Sequence, residues 1–173
     1  MALVMPAVAP GGATTLTGAL IFGIDTQTNN NIGSATVYAA DGITGNFTTT
    51  YKGRVLRSSF LDSGSNGFFF PDTAIPRCSV SSGFSGFYCP ATTLPLSAVN
   101  TSANGVASGT VNFSIENPLA LDSTIRAASV GGSIGRSSSI IFDWGMPFFF
   151  GRTVFVAIDG QSTLHGPGPY WAY

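Results

Sequence analysis

Charge is scarce in this chain. Seven basic and eight acidic side chains among 173 residues amount to 9% and a net charge of -1, against about 25% charged residues in ordinary soluble domains. Nucleic-acid binding requires Lys and Arg to displace counterions from phosphates. One Lys and six scattered Arg form no such patch, so no nucleic-acid partner is expected. Strong helix formers are few: one Glu, one Lys and three Met stand against 22 Gly, 10 Pro and 38 Ser plus Thr, a balance that favours strands and turns. No apolar run reaches the ~18 residues that a membrane-spanning helix needs, and no transmembrane segment is expected. The N-terminal Ala2-Leu3-Val4-Met5 has no positively charged lead and is broken by Pro6 and Pro10, unlike a signal peptide. A single His and two Cys give no metal-ligand spacing, and phosphate-cradling Gly loops are missing. The expectation is therefore no metal and no cofactor.

Apolar and aromatic residues dominate what is present. A chain that is 44% hydrophobic with 14 Phe can bury a sizeable core as one globular domain. Cys78 and Cys89 stand 11 residues apart in a Ser/Gly-rich segment and read as a local disulfide. Together with the Ser, Thr, Asn and Gly content, that bridge points to an extracytoplasmic setting, periplasmic or secreted. Export is then expected to be signalled elsewhere, or the chain to be a piece of a longer protein.

Along the chain, residues 1–15 read as a flexible Ala/Pro/Gly lead-in, 16–165 as one lobe and 166–173 as a C-terminal tail. Apolar runs and alternation predict strands over 16–24, 35–39, 45–51, 54–61, 110–115 and 153–159. The Asp41-Gly42 turn is expected to join the second and third of these as a hairpin. Residues 73–95, rich in Pro, Ser and Gly, are expected to form an irregular surface excursion pinned by the bridge. Single helical turns are expected near 91–99 and 147–151.

The most specific signal is Phe60-Leu61-Asp62-Ser63-Gly64-Ser65, followed after Asn66-Gly67 by Phe68-Phe69-Phe70. In such a turn after an apolar strand the small hydroxyls on either side can hydrogen-bond the Asp62 carboxylate, and the Gly lets backbone amides approach it. From the chain's own composition roughly 0.01 such segments are expected by chance. The segment resembles the active-site element of pepsin-like and retropepsin-like aspartic peptidases, two apolar residues followed by Asp-Thr/Ser-Gly-Thr/Ser. Trp144-Gly145-Met146-Pro147-Phe148-Phe149-Phe150, then 153–158 and Asp159, resembles their second hallmark, and 18–25 resembles the strand near their lobe junction. The likeness covers most of 16–159 and is greatest to a C-terminal lobe. The chain also resembles a bacterial family of uncharacterised exported proteins with Asp-Ser-Gly-Ser-Asn-Gly and Asp-Trp-Gly-x-Pro-Phe-Phe elements.

This resemblance implies an all-β fold, a single lobe of the pepsin/retropepsin-type acid protease β-barrel. It implies Asp62 as the catalytic carboxylate, Ser63 tying two active-site loops together, Gly64 presenting its amide, and Ser65 hydrogen-bonding the outer oxygen of Asp62. Trp144 and Gly145 would support the loop, and a peptide or protein would be the substrate. The chain departs from the pattern in two ways. Asp143 stands where the family has an apolar residue, and Phe149-Phe150-Gly151-Arg152 offers another register for the second hallmark. The chemistry also needs two carboxylates that share a proton, whereas the chain has one Asp-Ser-Gly-Ser, so a homodimer or a missing N-terminal lobe is expected. Tyr38 and Tyr51 are candidates for a substrate-covering flap tyrosine.

A competing pattern, Gly131-Gly132-Ser133-Ile134-Gly135 with Asp143 and His165 downstream, has the order of a serine hydrolase. Its surroundings lack the strand-turn-helix that a nucleophile elbow requires, so it reads as a loop and His165 as a solvated side chain. The expected function is an aspartic endopeptidase lobe that acts as a dimer or with a second lobe. The alternative is a non-catalytic secreted β domain serving binding or surface assembly.

Overall fold

Alternating apolar residues set the strands of this chain and Gly, Pro and Asn end them. The computed structural model describes residues 1–135 and 139–173. In chain order the strands are β1 (Ala2–Val4), β2 (Ala19–Ile21), β3 (Val37–Ala39), β4 (Phe47–Tyr51), β5 (Arg54–Leu61), β6 (Phe68–Phe69) and β7 (Leu94–Thr101). They continue as β8 (Ser108–Ile115), β9 (Gly131–Gly132), β10 (Ile141–Trp144), β11 (Thr153–Ala157), β12 (Ser162–Thr163), β13 (Gly166–Pro167) and β14 (Tyr170–Ala172). Among the described residues there is no α-helix, and short 3-10 turns are the helical elements. The fold is all-β.

Seven strands form one sheet in the order β8-β7-β4-β5-β10-β6-β9, and five form a second in the order β2-β1-β11-β14-β3. β4 and β5 make a two-residue hairpin in which Lys52 and Gly53 both take positive φ, 48° and 77°, as the right-handed twist of the flanking strands favours. The arrangement around β10 positions the rest. β10 runs parallel to β5 on one side and antiparallel to β6 on the other. The chain therefore leaves β5, turns through residues 62–67 at the end of β10, and returns as β6.

Several expectations are corrected here. The supposed lead-in carries β1, which pairs with both β2 and β11, and the Met1 ammonium donates to the Val156 carbonyl at 2.9 Å. The supposed tail carries β14, between β11 and β3. Both termini are strands because Ala2, Tyr170 and Ala172 bury their side chains in the smaller core. The hairpin expected across Asp41-Gly42 does not form: β3 pairs with β14, and β4 with β5 and β7. The carboxylate of Asp41 accepts from the amides of Ile43 and Thr44, and the turn so capped carries the chain from one sheet to the other. β7 replaces the helical turn expected near 91–99. Pro95 hid it, but Pro95 lies where β7 has β8 alongside and β4 has already ended, so one side of the strand is an edge there, where Pro is tolerated.

The main core is a cluster of rings. Phe142 and Trp144 stack at 4.1 Å between centroids, and Phe142 stacks on Phe70 at 4.8 Å. Phe68, Phe113 and Phe148 meet the Trp144 ring by its edges or at a tilt. A polar line crosses this core: the Trp144 indole donates to Thr49 Oγ1 at 3.0 Å, Thr49 Oγ1 donates to Asn100 Oδ1 at 2.7 Å, and Asn100 Nδ2 donates to Tyr173 Oη at 3.1 Å.

Cys78 and Cys89 form a disulfide. The loop it closes places Phe87 edge-on against Phe69 and buries Tyr88, whose amide donates to the Gly131 carbonyl. Closing a loop of this length removes unfolded-state entropy worth about 3 kcal/mol. Reduction is thus expected to lower the urea midpoint by that much free energy, measured with and without reductant; an unchanged midpoint would refute it.

Candidate active site

The turn after β5 is held from two directions. The Asp62 amide donates to the Trp144 carbonyl at 3.0 Å, and the Met146 amide donates to the Ser65 carbonyl at 2.7 Å, which clamps residues 62–65 onto the end of β10. Gly145 makes the clamp close: a Cβ there would lie 2.1 Å from the Gly67 carbonyl oxygen and 2.7 Å from that of Ser65. Within the turn, the Gly64 amide donates to Asp62 Oδ1 at 2.8 Å. Ser65 Oγ lies 3.0 Å from Asp62 Oδ2. Asp62 is half-buried, and Ser63 and Gly64 are exposed.

Asp143 joins this group. β10 alternates, so Phe142 and Trp144 face the aromatic core and Asp143 faces the opposite side. There its Oδ2 lies 2.6 Å from Ser65 Oγ. Asp143 is 6% exposed, and its Oδ1 finds no hydrogen-bond partner among the described residues. Burial pushes the Asp143 carboxyl up to about 6, the Ser65 hydroxyl opposes that rise and the Asp62 carboxylate adds to it.

Pairing of Ile141–Trp144 with Ser58–Leu61 puts Asp143-Trp144-Gly145 beside the turn. Phe149 ends a 3-10 turn (Met146–Phe149) and Phe150 caps it, so the register at Phe149-Phe150-Gly151 is not the one alongside β5. The sequence marks Asp143 as a departure from the second hallmark and as the acid of the competing Ser133 pattern, and does not join it to Asp62 and Ser65. The available signal was the charge itself, a lone carboxylate in an otherwise apolar strand.

Beside the turn lies a cavity of about 340 Å³ walled by Ser63, Gly64 and Ser65 on one side and by Met5, Leu16 and Phe150 on the others. It adjoins a second of about 430 Å³, reached past Asn66, Arg126 and Ala128, which line both. Phe84 and Phe87 from the disulfide loop, with Leu119, Leu121 and Ile125, make the second cavity apolar.

Other candidates lie elsewhere. Tyr38 and Tyr51 are not flap residues. Tyr38 is buried and stacks on Tyr173, and Tyr51 is buried with its hydroxyl on Asp72 Oδ2 at 2.7 Å. Burial works to raise the Asp72 carboxyl, but Lys52 at 2.9 Å, Tyr51 and the Ala74 amide together hold it below the usual range. Ser133, Asp143 and His165 do not assemble: Asp143 bonds Ser65, and His165 is exposed, with its Nε2 3.1 Å from Oδ2 of Asp25. Among the described residues no three His, Cys, Asp or Glu side chains come together as metal ligands, and no helix is long and apolar enough to cross a membrane.

No curated protein and no solved structure matches the chain. A family model described as "Protein of unknown function (DUF3443)" matches residues 1–173. The all-β chain with its Asp62–Ser65–Asp143 cluster therefore belongs to the DUF3443 family.

Proposed function

We propose that this chain is an aspartic endopeptidase lobe of the pepsin/retropepsin-type β fold, working in an extracytoplasmic compartment. The observation that carries the reading is a half-buried carboxylate, Asp62, held by the Gly64 amide and the Ser65 hydroxyl on a tight turn whose next three residues, Ser63, Gly64 and Ser65, line a groove. The passage of β10 between β5 and β6 supports it, because that arrangement fixes the turn from below. A disulfide is compatible with an oxidising compartment.

In this reading Asp62 takes a proton from the attacking water and returns it to the departing amine. A second carboxyl group, protonated and brought by a second copy or another lobe, donates its proton to the scissile carbonyl oxygen and takes it back as the tetrahedral intermediate collapses. The amides and hydroxyls of the turn are preorganised and need not rearrange as charge develops. In the same reading an extended peptide lies along the groove beside the turn and sets apolar side chains into the adjoining cavity lined by Phe84 and Phe87.

Asp62→Asn is expected to lower cleavage of a denatured protein by about 10³-fold, measured at acid and neutral pH; unchanged cleavage at both would make the assignment wrong. If two copies complete the site, activity per chain rises with concentration in parallel with dimer formed, as light scattering reports.

A second reading is a non-catalytic β domain for binding or surface assembly. It is favoured by the single Asp-Ser-Gly-Ser turn, in which Asp62 is already bonded through both oxygens. A pepstatin-like transition-state analogue separates the two, since a working pair binds it tightly and a lone lobe does not.

A further inference from the structure

Three oxygens stand in a row at the site: Asp62 Oδ2, then Ser65 Oγ at 3.0 Å, then Asp143 Oδ2 at 2.6 Å from that hydroxyl. Two hydrogen bonds need two protons, and a serine hydroxyl has one. The second proton must sit on a carboxyl group. With both carboxyls ionised, Ser65 could donate to one and would leave the other oxygen facing a lone pair.

Burial decides which carboxyl holds it. Asp62 is half-buried, and its Oδ1 accepts from the Gly64 amide. Asp143 is buried, and its Oδ1 has no partner among the described residues. A neutral carboxyl leaves a single acceptor unpaired there, whereas an ionised one would leave an uncompensated charge in the interior. Among the described residues no ion pair reaches Asp143: β5 sets Phe60 opposite it, β6 sets Phe69, and the turn between them brings Ser65 and Asp62.

We propose that Asp143 is a positioning residue that keeps its proton, donates it to Ser65 Oγ, and thereby directs the Ser65 proton onto Asp62. Asp62 is then an oriented carboxylate for as long as Asp143 stays neutral. Once Asp143 ionises, it competes for the Ser65 proton and repels Asp62, and the turn loses its setting. The consequence for activity rests on the peptidase reading above; the protonation of Asp143 does not.

The sign of the pH effect follows. Asp143 is raised in the folded state, to about 6, so the native chain binds more protons than the unfolded one between the ordinary carboxylate range and that value. Its contribution to stability is complete at low pH and is lost as pH rises through about 6.

The test uses the full chain with ¹³C-labelled Asp carboxyls, in wild type, Asp143→Asn, Asp62→Asn and Ser65→Ala. One carboxyl resonance is expected to titrate near 6. It should vanish in Asp143→Asn and move to lower pH in Asp62→Asn, where the facing charge is gone. A spectrum in which no Asp titrates above about 5, or in which that resonance survives Asp143→Asn, overturns the proposal whether or not the chain cleaves peptides.

Activity supplies a second readout. An Asn amide donates to Ser65 at every pH, so the ratio of cleavage at about pH 7.5 to that at about pH 4.5 should rise at least about tenfold in Asp143→Asn. A profile that superimposes on wild type overturns the positioning role. If Asp143→Asn fails to fold, Ser65→Ala decides: it breaks the row, and shifts of the Asp143 resonance on adding Asp62→Asn should shrink. Inactive wild-type protein would count against the peptidase reading alone, with the carboxyl spectrum still deciding for or against Asp143.

Discussion

Trp144→Ala should lower the unfolding free energy by about 4–5 kcal/mol, near the top of the range for a large aromatic truncated in a core. The indole is fully buried and packs on Phe142, Phe68, Phe113 and Phe148, with no gap into which neighbours can readily collapse. Its loss also removes the N–H that Thr49 Oγ1 accepts. Against the ~5–15 kcal/mol total typical of a domain, that is a large fraction. Trp144→Phe keeps most of the ring area and loses the hydrogen bond, so a cost of about 1–2 kcal/mol is expected. Urea titrations followed by far-ultraviolet circular dichroism would measure both, and equal costs for the two variants would contradict the packing account.

Gly145→Ala should act on the site more than its size suggests. The added methyl meets two backbone carbonyl oxygens, of Gly67 and Ser65, and backbone cannot swing aside as a side chain can. Residues 62–67 must lift from the end of β10, stretching the bonds from the Asp62 amide to the Trp144 carbonyl and from the Met146 amide to the Ser65 carbonyl. A cost of about 3 kcal/mol is expected, at the upper end for an inserted methyl. If the chain is a peptidase, activity should fall about 100-fold, as displacements near 1 Å do in acid-base sites. A Gly145→Ala protein with wild-type stability would mean that the clamp is loose.

How much of this was legible beforehand differs from element to element. β5 was readable because Arg54–Leu61 ends in turn chemistry that depends on its own residues alone. The Asp62 turn was readable for the same reason, since Asp, Ser, Gly and Ser make their bonds to one another within the turn. Sheet partners were not. Nothing local in Val37–Ala39 tells that it will pair with Tyr170–Ala172 rather than with the next strand. β7 was obscured by Pro95, whose cost depends on which neighbour is absent at that point of the sheet. Asp143 was obscured because its meaning is supplied by Ser65, which only the parallel pairing of β10 with β5 brings near it. A strand reader sees a charge out of place; the sheet turns it into half of a pair.

The polar line through the core has a direction. An indole N–H can only give a proton, so Thr49 must receive from Trp144 and pass its own hydrogen to Asn100 Oδ1. That fixes which way the Asn100 amide faces, with Nδ2 toward Tyr173, and obliges the phenol to act there as an acceptor. The row behaves like a one-way wire that links β10 in the larger sheet to the last residue of the chain. Asn100→Asp would remove the donor at its third station and set a carboxylate against a phenol oxygen, while Thr49→Val would cut the row in the middle. Tyr173 is thus oriented, three bonds away, by the tryptophan whose backbone carbonyl holds the Asp62 turn.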